Sequence, residues 1–175
     1  MPPSPSAIAY IGLGSNLGDR LQVLQSVTNL CKTGQTPGID LLRSSPVFET
    51  KPLGPAKYPF LNAVLEIATT FEPHELLTTL LVLENRYGRV RKIRWQARSL
   101  DLDLLIYVKN GQSIQMDNRD LRLPHPELEY RDFVLAPLAS LVPNLCPTSQ
   151  FTVIEMLERL TDDARTIIQQ IHVSL

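Results

Sequence analysis

An α+β fold of the ferredoxin-like type, ordered β-α-β-β-α-β, follows from three features of this 175-residue sequence. Four stretches rich in β-branched, aromatic and leucine residues read as strands, at about 7–13, 39–50, 60–68 and 99–108. Two segments between them carry apolar residues at helical spacing. The helices follow the first and third strands, which is the split βαβ arrangement. The expected product is an antiparallel sheet with both helices on one face and the other face open to a ligand.

Each element has its own justification. Residues 1–6 are a Pro/Ser-rich lead, expected to be flexible. Ala7 to Leu13 is a β-branched and aromatic run, and Gly12-Leu13-Gly14-Ser15-Asn16 supplies turn chemistry to close it. Leu21, Leu24, Val27 and Cys31 recur at helical spacing, predicting a helix over 20–32. Gly34 to Gly38 is a loop, and Ile39 to Thr50 reads as a strand in which Pro46 marks an edge or a bulge. Lys51-Pro52-Leu53-Gly54-Pro55 cannot continue a ladder.

From Phe60 to Ala68 the pattern alternates. Leu61, Ala63, Leu65 and Ile67 take one face, and Phe60, Asn62, Val64 and Glu66 the other. Pro73 opens a second helix that carries Leu76, Leu77, Leu80, Leu83 and Glu84, with Gly88 beyond its end. Ser99 to Val108 is the last core strand, stopped by Asn110-Gly111. Residues 112–175 read as a C-terminal extension: a short strand, a His125-Pro126 turn, a helical segment near Glu127–Leu138 and a helix over Thr152–Leu160. Residues 1–175 are expected to form one domain with its core at about 7–141.

Composition narrows the class. Formal net charge is −1, which argues against a nonspecific nucleic-acid binder with an extended positive surface. Cys31 and Cys146 are too few and too far apart for a disulfide framework or zinc site, which points to a reducing, cytoplasmic setting. No apolar run approaches the ~20 residues of a membrane span. The opening residues lack the basic and apolar regions of a secretory signal.

The stretch from Arg89 to Asp103 carries the chemistry. Arg89, Arg91, Lys92, Arg94 and Arg98 fall within ten residues, and Asp101 and Asp103 follow at once. On a strand the two acids project to one face, roughly 6–7 Å apart at Cα, while Leu100, Leu102 and Leu104 turn to the core. Such a pair suits Mg²⁺, which takes one or two carboxylates plus phosphate oxygens and water. Guanidinium forks beside it suit a polyphosphate. The same cations also suit an RNA-binding patch on a ferredoxin-like sheet, a reading that needs RNP-like aromatic runs, and none is present. Gly12 and Gly14 do not form the dinucleotide fingerprint, and no phosphate-binding loop of the G-x-x-x-x-G-K-[ST] type occurs.

Arg89-Val90-Arg91, Arg94-Trp95, Arg98-Ser99-Leu100-Asp101-Leu102-Asp103 and Leu123-Pro124-His125-Pro126 together resemble the signature of the 6-hydroxymethyl-7,8-dihydropterin pyrophosphokinase family. Gly14-Ser15-Asn16, Thr50 with Pro52-Leu53-Gly54, and Phe60-Leu61-Asn62 resemble its other hallmarks in the same order. The resemblance implies a ferredoxin-like enzyme of folate biosynthesis that moves the β,γ-pyrophosphoryl group of ATP to the pterin hydroxymethyl oxygen and releases AMP. It implies two Mg²⁺ ions at Asp101 and Asp103. It assigns Arg89, Arg91, Arg98, His125, Arg131 and Glu84 to ATP, with Arg89 and Arg98 on the pyrophosphoryl oxygens and Trp95 in a closing loop. Thr50, Leu53, Phe60, Asn62 and Phe133 fall to the pterin, whose flat ring takes an aromatic on its face and an amide on its edge. No nucleic acid, membrane or obligate protein partner is expected of this chain. Phe60 stands where the family often has Tyr, Lys51 where it often has Pro, and Gln96-Ala97 where it often has Gly-Pro.

Overall fold

The computed structural model describes residues 7–52, 56–87 and 99–175. Its core elements are β1 (Ala7–Ser15), α1 (Arg20–Lys32), β2 (Ile39–Ser44), β3 (Val47–Thr50), β4 (Phe60–Thr69), α2 (Pro73–Arg86) and β5 (Asp101–Lys109). They are followed by β6 (Gln112–Ser113), β7 (Met116–Asp117), β8 (Arg122–Leu123), α3 (Asp132–Leu141), α4 (Val153–Glu158) and β9 (Ile167–Ile171). The main sheet runs β6-β5-β1-β4-β3-β9, with β2 also on β4. Its pairs are antiparallel. The predicted ferredoxin-like α+β core is present, with β1 in the middle.

Strand alternation decides which face each side chain serves. Ala7, Ala9, Ile11 and Leu13 of β1 share one core with Leu61, Ala63, Leu65 and Ile67 of β4 and with Leu100, Leu102 and Leu104. Against them pack Leu24, Val27 and Cys31 of α1 and Leu76, Leu80 and Leu83 of α2. Each fully buried Leu or Val contributes about 1.5–3 kcal/mol, so this core fixes the strand register and with it the opposite face. Asp19 caps α1 by accepting the Gln22 N–H at 3.0 Å. A Glu72/Glu75 capping box and Pro73 start α2.

The second face is not left open as the sequence predicts. Tyr10, Val64, Leu105 and Ile106 pack there against Leu128, Val134, Leu135 and Leu138, and against Val153 and Met156 of α4. The extension carries an apolar stripe of its own, and this half of the sheet buries it. A bulge assists. Tyr10 pairs with Ile106 but Ile11 with Leu104, so Leu105 is an extra residue. Both Leu105 and Ile106 then serve the second core. The part of this face around Gly12 and Gly14 forms the floor of a cleft.

Other boundaries also differ from expectation. The predicted 39–50 strand divides at Ser45-Pro46, where Ser45 Oγ accepts the Val64 N–H at 2.8 Å. β1 continues through the predicted turn to Ser15, because its glycines are paired on both sides. The helical segment expected near 127–138 is a single 3-10 turn at Leu128–Tyr130, an extended Arg131, and then α3. Strand β9, unforeseen, extends the sheet beyond β3. Asn110 and Gly111 have φ of 54° and 77°, the paired positive values of a two-residue hairpin turn, and they join β5 to β6 as expected. No helix among the described residues is long and apolar enough to cross a membrane.

Candidate active site

A cleft of about 350 Å³ opens on the second face, between the adjoining ends of β1, β4 and β5 and the 125–134 segment. Eight residues that the sequence singles out line it: Thr50, Phe60, Asn62, Asp101, Asp103, His125, Arg131 and Phe133. They come from four separate parts of the chain, and the sheet register brings them together. Gly14 pairs with Asn62 on one side and Asp101 on the other. Gly12 pairs in the same way with Val64 and Asp103. Asn62 and Val64 of β4 and the acids of β5 therefore flank one strand that has no side chains at these two positions. Leu53, Arg89, Arg91, Trp95 and Arg98 lie outside the described residues.

Asp101 and Asp103 project from β5 to the cleft, while Leu100, Leu102 and Leu104 fill the opposite core. This is the alternation expected of Asp-Leu-Asp. Two carboxylates on one strand face give a donor set of oxygen only, suited to a hard divalent cation. Among the described residues, no three His, Cys, Asp or Glu side chains gather into a protein-built metal cage. The pair thus fits Mg²⁺ whose remaining ligands come from substrate and water.

Asn62 is buried, and its Nδ2 donates to Thr50 Oγ1 at 2.7 Å. That bond fixes which way the amide points, as a ring edge with mixed donors and acceptors requires. Phe60 lines the cleft from β4 and Phe133 from the first turn of α3. Arg131 stands 5.6 Å from the Phe133 ring centroid and 3.8 Å from the Glu127 carboxylate.

Glu84 is placed elsewhere, which corrects the expectation of an ATP contact. It is 1% exposed on α2 and does not line the cleft. Its Oε1 accepts the Leu102 N–H at 2.7 Å, so the carboxylate grips β5 between the two aspartates. A buried carboxylate is costly unless hydrogen-bonded, and the Leu102 N–H meets part of that need.

His125 is held by two hydrogen bonds. Its backbone N–H donates to Leu105 O at 2.8 Å, and the Glu127 N–H donates to its Nδ1 at 3.2 Å. An accepting Nδ1 carries no proton, so the neutral ring bears its hydrogen on Nε2. Burial pushes the imidazole pKa below its ordinary value and Arg131 adds to the shift, while Glu127 and Asp101 oppose it. Folding therefore favours the neutral ring. This contribution is complete above the usual histidine range and is lost as pH falls through it. Nitrogen-detected NMR at pH 7 is expected to show a neutral Nε2–H tautomer titrating below pH 6.5. A midpoint above that value would contradict the geometry.

Sequence reasoning missed the glycine floor, Lys51 and Glu127 at the rim, and the apolar base of Val64, Leu105 and Val134. The floor had a usable signal, since glycines two apart within a strand mark a close approach of some other group.

Comparisons with known proteins identify the family. The sequence profile of the family described as 7,8-dihydro-6-hydroxymethylpterin-pyrophosphokinase (HPPK) matches residues 10–143. A Synechocystis protein named 2-amino-4-hydroxy-6-hydroxymethyldihydropteridine pyrophosphokinase is 35% identical over 153 residues, covering 87% of this chain and 75% of its own. Proteins of the same name are 41% identical in Bacillus subtilis, over 77% of each chain, and 37% identical in Haemophilus influenzae, over 88% of this chain and 93% of that one. Among solved structures, Plasmodium falciparum HPPK-DHPS with pteroate superposes with a TM-score of 0.70 at 12% identity. The match covers 89% of this chain and 44% of that longer one, and it speaks for the fold alone.

Proposed function

This chain belongs to the 7,8-dihydro-6-hydroxymethylpterin-pyrophosphokinase family and transfers pyrophosphate from ATP to 6-hydroxymethyl-7,8-dihydropterin in folate biosynthesis, and we propose that the cleft above Gly12 and Gly14 is where it does so. The observation that carries this reading is the register of β1, which sets Asn62 and Asp101 on either side of the side-chain-free Gly14. A pterin edge and a phosphate-binding pair are thereby one strand apart on each side.

Phe60 and Phe133 hold the two faces of the ring, and Asn62, oriented by Thr50, reads its edge. Backbone groups of Thr50 complete that edge, and the family resemblance assigns Leu53 to it as well. The hydroxymethyl oxygen is then directed across Gly14 toward the aspartates. Asp101 and Asp103 would hold two Mg²⁺ ions together with the triphosphate. When bound there, the ions supply charge neutralisation at the phosphoryl oxygens and align the β-phosphorus for in-line attack.

Arg131 and the Nε2–H of His125 donate to phosphate oxygens from the opposite wall. A neutral donor serves that purpose without requiring a buried cation beside Arg131. Arg89, Arg91 and Arg98 are assigned to the triphosphate by family resemblance, and Trp95 to the loop that carries them. The hydroxymethyl oxygen gives up its proton to solvent and forms its bond to the β-phosphorus as the bond from that phosphorus to the α,β-bridging oxygen breaks, and that oxygen leaves with AMP. Positioning and electrostatics supply most of the rate, because such transition states need little covalent assistance.

The test is the identity of the nucleotide product. With MgATP and hydroxymethyl-dihydropterin, AMP is expected in equal amount to the pyrophosphorylated pterin. ADP, or no turnover, overturns the reading.

A further inference from the structure

Asp132 stands between Arg131 and Phe133, yet it faces away from the cleft wall that they form. It is 2% exposed. Its Oδ2 accepts the Thr166 N–H at 2.5 Å and the Ile167 N–H at 2.8 Å, and its Oδ1 accepts the Thr166 hydroxyl at 2.5 Å. Three donors on one buried carboxylate make a strong, charge-assisted tie. What it ties is the start of β9.

That strand is in turn fastened to the pterin side of the cleft. Thr166 O accepts the Lys51 N–H at 2.8 Å, and Ile167 pairs with Thr50. Thr50 Oγ1 is the atom that orients Asn62. Further along β9, Gln169 donates to Glu49 at 2.8 Å, and Glu49 holds Arg20, whose guanidinium donates to Pro59 O beside Phe60. One continuous path thus runs from Phe133 through Asp132, Thr166 and Thr50 to Asn62. It joins the two walls between which the pterin is proposed to sit.

We propose that Asp132 is a positioning residue for the pterin, which sets the spacing between Phe133 and the Asn62–Thr50 edge by clamping β9 to both. This rests on the placement of the pterin given above. A carboxylate with a purely structural role would stabilise α3 without favouring either substrate. A spacer between the pterin walls instead acts on pterin affinity and leaves the affinity for nucleotide nearly as it was.

The test measures pterin binding by ligand fluorescence and both KM values by AMP release, in the full chain. Asp132→Asn removes the charge and one of the two acceptor oxygens from this tie, and is expected to weaken pterin binding and raise its KM about tenfold. The KM for ATP is expected to stay within about twofold. Thr166→Val, which removes the hydroxyl, is expected to move pterin binding the same way by a smaller factor, and Thr166→Ser to restore it. Unchanged pterin affinity in a folded Asp132→Asn overturns the proposal, as does an equal rise in both KM values. If Asp132→Asn does not fold, the Val/Ser pair at Thr166 decides by the same readout. A wild-type protein that neither binds the pterin nor makes AMP instead removes the placement of the substrate, a result distinct from a variant that matches an active wild type.

Discussion

Asp101→Ala and Asp103→Ala are each expected to lower kcat by roughly 10³-fold, the order of loss seen when one element of transition-state charge stabilisation is removed. Both side chains line the cleft and neither is fully buried, so the substitutions leave the apolar core untouched. The melting temperature should therefore change little while activity collapses. Asn variants preserve shape and remove charge, and a similar loss in them assigns the effect to charge. Pterin binding in the absence of nucleotide should survive in all four proteins, since the proposed pterin contacts lie on other elements: Phe60 and Asn62 across Gly14 on β4, Thr50 on β3 and Phe133 on α3. AMP release under saturating MgATP is the measurement. Retention of activity within tenfold of wild type, in either alanine variant, would remove the metal assignment.

The acids were legible because their strand announces itself. Leucine at 100, 102 and 104 can satisfy one core only if 101 and 103 face the other way, and the same logic separates Leu61, Ala63, Leu65 and Ile67 from Phe60 and Asn62. Helices α1 and α2 were equally plain, each with apolar residues at helical spacing, and α2 with Pro73 as a start signal. Elsewhere the local sequence carries two meanings. Gly12 and Gly14 have turn chemistry in isolation, and only the strands pairing on both sides make them a floor. Asp132 reads as an acid in a helix's first turn, because its three donors lie 34 and 35 residues away. Ile167 to Ile171 is too short to declare itself without the exposed edge of β3. Pro46 did warn of irregularity, but not that Ser45 would take over the pairing with β4. Glu84 shows the limit of carrying a role over by position, since the buried carboxylate serves the backbone of β5.

Gly14→Val is expected to abolish pterin binding and to reduce kcat/KM at least 100-fold, about 2.7 kcal/mol in transition-state free energy. A Cβ at this position would stand 3.2 Å from Asn62 Oδ1, 3.8 Å from Asp101 Cβ and 3.9 Å from Phe60 Cδ1. Those three groups are the ring's edge contact, a metal carboxylate and the ring's face contact in the proposed reading. The two further methyls of valine have only the cleft to enter, because the opposite side of β1 is packed core. Strand geometry itself tolerates valine, and Gly14 is not among the glycines with positive φ. The protein should therefore fold with its site obstructed. Gly14→Ala adds only the Cβ, which Asn62 must accommodate by a few tenths of an ångström. A roughly tenfold loss is expected there, giving the order Gly, Ala, Val in both pterin affinity and turnover. Thermal melting checks folding, and ligand fluorescence with AMP release reads the site. A folded valine variant with undiminished turnover would mean that the reacting atoms meet somewhere other than above Gly14.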